Sequence, residues 1–91
     1  MREFEVSEHL TKKLRKYGKK DKKLFTAAMK KMREILECPD VSHYKNLRYD
    51  LRDSRRVHVD KSFVLVFQHD AGKDKIIFDD IDHHDKIYES K

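Results

Sequence analysis

The longest uninterrupted apolar run of the chain is Phe63-Val64-Leu65-Val66-Phe67. A strand with apolar side chains on both sides suits the middle of a sheet covered on both faces. That is a severe demand on 91 residues of which 37% are hydrophobic and 43% charged. The apolar residues are periodic rather than scattered, which separates a packed fold from a disordered polyelectrolyte. One domain is expected, because a second core would not fit the length.

The rest of the chain reads as cover for that strand. Phe4 and Val6 alternate with Glu3 and Glu5 as a short first strand, ending at Ser7, a good helix N-cap. Leu10, Leu14 and Tyr17 form one stripe on a first helix, which Gly18 is expected to close in a left-handed conformation. Asp21 caps a second helix with Leu24, Phe25, Ala28, Met29, Met32, Ile35 and Leu36 at helical spacing, stopped by Pro39. Leu47, Tyr49 and Leu51 alternate with Arg48, Asp50 and Arg52 as a second strand, and Val57 and Val59 alternate with Arg56, His58 and Asp60 in a third. After the Phe63–Gln68 strand, the turn Asp70-Ala71-Gly72-Lys73-Asp74 leads into a fifth strand at Lys75–Phe78. Asp82 is placed as the cap of a short C-terminal helix. The expectation is an α+β fold in β-α-α-β-β-β-β order, with a small antiparallel sheet, two helices packed on one face and a short C-terminal helix. The other face stays open, with Arg48, Arg52, Arg56, His58 and Asp60 on it.

The 22 basic and 17 acidic residues leave a net charge of +5, so a polyanion is the first partner to consider and an acidic protein the second. Cys38 is alone and cannot form an internal disulfide, which fits a reducing compartment. No apolar run approaches the ~20 residues of a membrane span, and the N-terminus lacks the shape of a signal peptide, so a cytoplasmic location is expected.

Six histidines are present. His43, His58 and His84 fall at element ends or on the polar strand face, where imidazole can take or give a proton near neutral pH. His9 and His69 read as surface residues. Zinc could take His58, His83, His84 and a carboxylate, but no second cysteine or helical His pair accompanies them, so no metal and no cofactor are expected.

Arg55, His58, Asp60, the strand Phe63–Phe67, His84 and Tyr88 together resemble toxins of the RelE/ParE superfamily, and among them the YafQ-like branch. That branch carries a histidine just before the leucine of the second strand, matched here by His43 before Leu47. It usually has an acidic residue where this chain has Ser62 and a tryptophan where it has Phe63, a departure that moves the expectation for the base to Asp60. The resemblance spans nearly the whole chain. It implies a toxin of a toxin–antitoxin module that cuts messenger RNA in the ribosomal A site and is neutralised by a cognate antitoxin, with no membrane and no small-molecule cofactor involved. It also implies His84 as general acid, Asp60 or His58 as base or base-orienting group, Arg55 or Arg56 as phosphate clamp, Tyr88 as a base-stacking or proton-shuttling group and His43 in support. Arg48, Arg52 and Lys61 would join the RNA-binding surface. A metal-free ribonuclease needs such a base, acid and cation around the scissile phosphate. Two other readings fit the same fold: a ParE-like inhibitor that poisons DNA gyrase by binding, and a non-catalytic RNA-binding module.

Overall fold

The computed structural model describes residues 2–41 and 54–89. The expected strand at residues 47–52, and with it His43, Arg48 and Arg52, lies outside the described residues. The elements are β1 (Glu3–Val6), α1 (Glu8–Lys20), α2 (Lys22–Glu37), β2 (Ser54–His58), β3 (Phe63–Asp70), β4 (Lys75–His83) and α3 (His84–Glu89). The four described strands lie in the order β1-β4-β3-β2. β3 is therefore internal, as its apolar run requires. β3 is antiparallel to both β2 and β4, whereas β1 joins the outer side of β4 in parallel, Phe4 opposite Ile76 and Val6 opposite Phe78. The sheet is thus mixed. β1 therefore runs in the same direction as β4 and β2 and opposite to β3.

Both long helices pack on one face. Leu10 and Leu14 of α1 and Leu24, Ala28, Met32, Ile35 and Leu36 of α2 enclose Leu65, Phe67, Ile76, Phe78 and Ile81 in one core. On the other face of β3, Val64 and Val66 are covered by Ile87 of α3. The run Phe63–Phe67 is divided between the two layers by the pleat.

A bulge sets which β4 side chains reach the core. Val66 pairs with Asp80 but Phe67 pairs with Phe78, so Asp79 is an extra residue. It shifts the alternation, letting Ile76 and Phe78 before it and Ile81 after it all point to the helices. Ser7 holds this point: its Oγ accepts from Leu10 N–H at 3.0 Å and donates to the Asp79 carbonyl at 2.6 Å, so one hydroxyl caps α1 and pins the bulge.

Two helix boundaries differ from expectation. α1 runs through Gly18, which has no positive φ, to Lys20. Asp21 ends α1 and begins α2 at once, its N–H donating to the Tyr17 carbonyl at 2.7 Å and its carboxylate accepting from Leu24 N–H at 3.1 Å. At the other end β4 continues to His83, so Asp82 is a strand residue and not the cap of α3. In the β3–β4 turn the left-handed residue is Asp74, at φ 51°, and Gly72 is not in that region. Among the described residues no helix is long and apolar enough to cross a membrane.

Candidate functional site

The sheet face turned away from α1 and α2 carries the chemistry. Register places side chains in rows across it: His58 beside Val64 and Asp82, and Arg56 beside Val66 and Asp80. α3 leaves the end of β4 and folds over the valines through Ile87. The turn at the start of α3 is tied down by His84 N–H, which donates to the Ser62 carbonyl at 2.6 Å. The result brings His84 to His58. Their rings stack with centroids 5.6 Å apart and planes 20° from parallel. His58 is exposed and the His84 side chain is 46% exposed, so both imidazoles are reachable from solvent.

The two arginines part company. Arg56 lies on the histidine face. Arg55 pairs with Phe67 and so shares the helix-facing side with Val57, because consecutive strand residues alternate. Both are partly buried and both engage other groups of the protein.

Asp60 does not stand in line with His58, as strand alternation had suggested. β2 ends at His58, and the Asp60 carboxylate accepts from the N–H groups of Ser62 and Phe63 at 2.8 and 2.9 Å, which closes the turn between β2 and β3. The cause is local: a short carboxylate that can bond backbone N–H groups two and three residues on favours a turn over an extended strand. Asp60, Lys61 and Ser62 line a shallow depression of about 430 Å³ whose other wall is Asp21, Lys23, Leu24 and Ala27. Lys61 thus lines this depression with Lys23. The Tyr88 backbone lies in α3, one turn beyond His84; its side chain lies outside the described atoms.

Two residues that the sequence reading left without a role support the site. His83 packs edge-on against Phe63, with centroids 5.7 Å apart, and Phe63 packs in the same manner against Tyr17 at 6.0 Å. The Nδ1 of His83 accepts from Asp85 N–H at 3.3 Å. Lys13 of α1 places its ammonium on Asp80 Oδ1 at 2.8 Å, the Ile81 carbonyl at 2.9 Å and Asp82 Oδ2 at 2.9 Å. Burial alone would lower the Lys13 pKa, but the bonds and charges of Asp80 and Asp82 together outweigh it and raise it. Burial likewise opposes ionisation of Asp82, and the Lys13 ammonium and His83 N–H outweigh it and hold that carboxyl below its ordinary value. The sequence signal was faint: a lysine between the core residues Leu10 and Leu14, and alternating aspartates at the end of a strand.

Among the described residues no group of three or more His, Cys, Asp or Glu side chains gathers to hold a metal ion. The site is a solvent-facing imidazole pair on a rigid sheet, with an arginine in the next row. Chemically, it offers two proton-transfer groups and a cation.

Solved structures share this architecture. The chain aligns with a chain of the intact Escherichia coli RelBE toxin–antitoxin complex with a TM-score of 0.72 and 24% identity, covering 91% of this chain and 96% of that one. It aligns with the metal-bound toxin from Helicobacter pylori with a TM-score of 0.76 and 24% identity, covering 94% and 98%. With a chain of the E. coli DinJ–YafQ complex the TM-score is 0.66 and the identity 19%, covering 97% and 99%. The chain therefore shares the fold of these toxins. No family model matches the sequence. All 91 residues align at 53% identity with a candidate toxin of Methanocaldococcus jannaschii, RelE4, covering 95% of its length, and the chain belongs to the RelE family of toxins. A Methanosarcina mazei protein without an assigned role is 43% identical over 85 residues, 93% of this chain and 96% of its own length.

Proposed function

We propose that the chain is the toxin of a type II toxin–antitoxin module and acts as a ribosome-dependent endoribonuclease on messenger RNA, masked by a cognate antitoxin in the cytoplasm. The observation that carries this reading is the stacked, solvent-facing pair His58–His84 with Arg56 in the adjacent row of the same face. One imidazole takes the proton of the 2′-hydroxyl as its oxygen attacks the scissile phosphate, and the other gives a proton to the departing 5′-oxygen, leaving a cyclic phosphate. The charge on the phosphorane falls to Arg56, whose planar guanidinium suits two phosphate oxygens. His84 is the acid. The base is His58, since Asp60 commits one carboxylate oxygen to two backbone N–H groups of the turn.

Arg55, Arg48, Arg52 and Lys61 extend the basic surface for phosphates, Tyr88 stacks on a base, and His43 assists the proton transfers. No cofactor is needed for this scheme. The antitoxin reading draws on RelE and YafQ of E. coli, whose structures are solved as the RelBE and DinJ–YafQ complexes.

The test is cleavage of ribosome-bound message in a reconstituted translation mix. His58→Ala and His84→Ala are each expected to lower the cutting rate by about 10²–10⁴-fold, the usual contribution of one proton-transfer group. Unchanged cutting by the double variant overturns the assignment. Growth arrest by the native chain with message intact points to gyrase inhibition, and RNA binding without arrest or cutting points to a non-catalytic module.

A further inference from the structure

We propose that Lys13, acting through Asp82 and His83, is a positioning residue that holds His84 against His58. The proposal rests on the reading of those imidazoles as the reacting pair. It starts from an accounting of backbone donors at the strand-to-helix corner. Three consecutive N–H groups end on named acceptors: His83 N–H on Asp82 Oδ1 at 2.7 Å, His84 N–H on the Ser62 carbonyl at 2.6 Å and Asp85 N–H on His83 Nδ1 at 3.3 Å. The corner therefore has no loose donor through which it could turn, and the His84 ring inherits its direction from it.

Asp82 is the pivot of this arrangement. One of its oxygens holds the His83 N–H and the other takes the Lys13 ammonium. Lys13 in turn is fixed from α1, where Leu10 and Leu14 on either side of it are buried in the core. An ammonium has three donors, and those of Lys13 meet Asp80, the Ile81 carbonyl and Asp82. No donor is left for a nucleic-acid phosphate. Lys13 therefore differs from the solvated lysines of the helices: it is a tether between α1 and the end of β4. A second consequence is electrostatic. Asp80 and Asp82 share the face of Arg56 and His58, and the Lys13 charge balances carboxylates that would otherwise repel a polyanion there.

The experiment uses the full chain and two readouts. Proton–proton contacts between the rings of His58 and His84 are followed by NMR in the free protein, and kcat and KM for cleavage of ribosome-bound message are measured in parallel. In Lys13→Met the ring contacts are expected to disappear and kcat to fall by about 100-fold, as small misplacements of reacting groups do. Lys13→Arg is expected to restore both. Folded Lys13→Met with intact ring contacts and native kcat overturns the proposal. If Lys13→Met does not melt cooperatively, Asp82→Asn keeps an acceptor for His83 N–H, drops the charge that holds Lys13 and is read in the same way. A native chain that cuts no message overturns the proposed function, while the ring contacts in the variants still decide whether Lys13 positions His84.

Discussion

Arg2 closes the end of the sheet opposite the His58–His84 pair, where its partner Asp74 also meets His69 Nε2 at 3.0 Å. Its Nε donates to Asp74 Oδ1 at 2.7 Å, and its terminal nitrogens donate to the carbonyls of Ile35, Leu36, Cys38 and Pro39. The first two belong to the last turn of α2 and the other two to its C-cap and the residue beyond, where the helix dipole favours a cation. Arg2→Met keeps much of the stem and removes every donor. It is expected to cost about 1–3 kcal/mol, the usual loss when hydrogen bonds from a charged group are removed, read as a lower urea midpoint with unchanged slope. Gly18 predicts the opposite sign. It sits within α1 at helical φ, and an added Cβ would meet Phe25 Cδ1 at 3.6 Å, an ordinary contact. Gly18→Ala should stabilise the protein by about 0.5–1 kcal/mol in the same titration. This glycine also shows what a sequence hides: a Gly after an apolar stripe has the form of a helix end, but only the packing of α1 on α2 decides whether the helix stops. Asp60 is a similar case. The alternation of Val57 and Val59 is real, yet hydrogen bonds of the Asp60 side chain to the backbone end the strand before it.

At the scale of elements, the Lys13 ion pairs join α1 to the end of β4 and make that junction pH-dependent. The folded pKa of Asp82 is lowered, so its contribution is present above the unfolded value of about 3.9 and lost as pH falls through the folded one. The folded pKa of Lys13 is raised, so its contribution is present below the unfolded value of about 10.4 and lost as pH rises through the folded one. The stability difference between the native chain and Lys13→Met should therefore be flat from about pH 5 to 9 and shrink outside both ends. Thermal melts of the two proteins across that range check it. Elements were the most legible level of the chain. A period of 3.6 located both long helices, and an unbroken apolar run marked β3 as internal. The bulge at Asp79 was not legible, because one extra residue shifts a strand's alternation without changing its composition. The imidazole pair was only half legible: His58 was visible on its strand, but its distance to His84 depends on how β4 turns into α3.

Over the whole molecule, the order of the described strands puts β4 between β1 and β3, so residues more than 70 positions apart meet at the Ser7–Asp79 bond. Pairs so distant in sequence carry a large loop-closure cost and form late. β1 is also short and mostly exposed, with Phe4 at 48%. Its amides should exchange with deuterium well before those of β3, which measures the difference directly. The arrangement then has a meaning in time. Until β4 is laid down, the sheet has no place for β1. Ser7, which caps α1 and grips the bulge, has only half its bonds until that moment. The short turn between Asp70 and Lys75 lets β4 pair with β3 locally, so the docking of β1 on β4 is the long-range step that closes the described sheet and completes the bonds of Ser7.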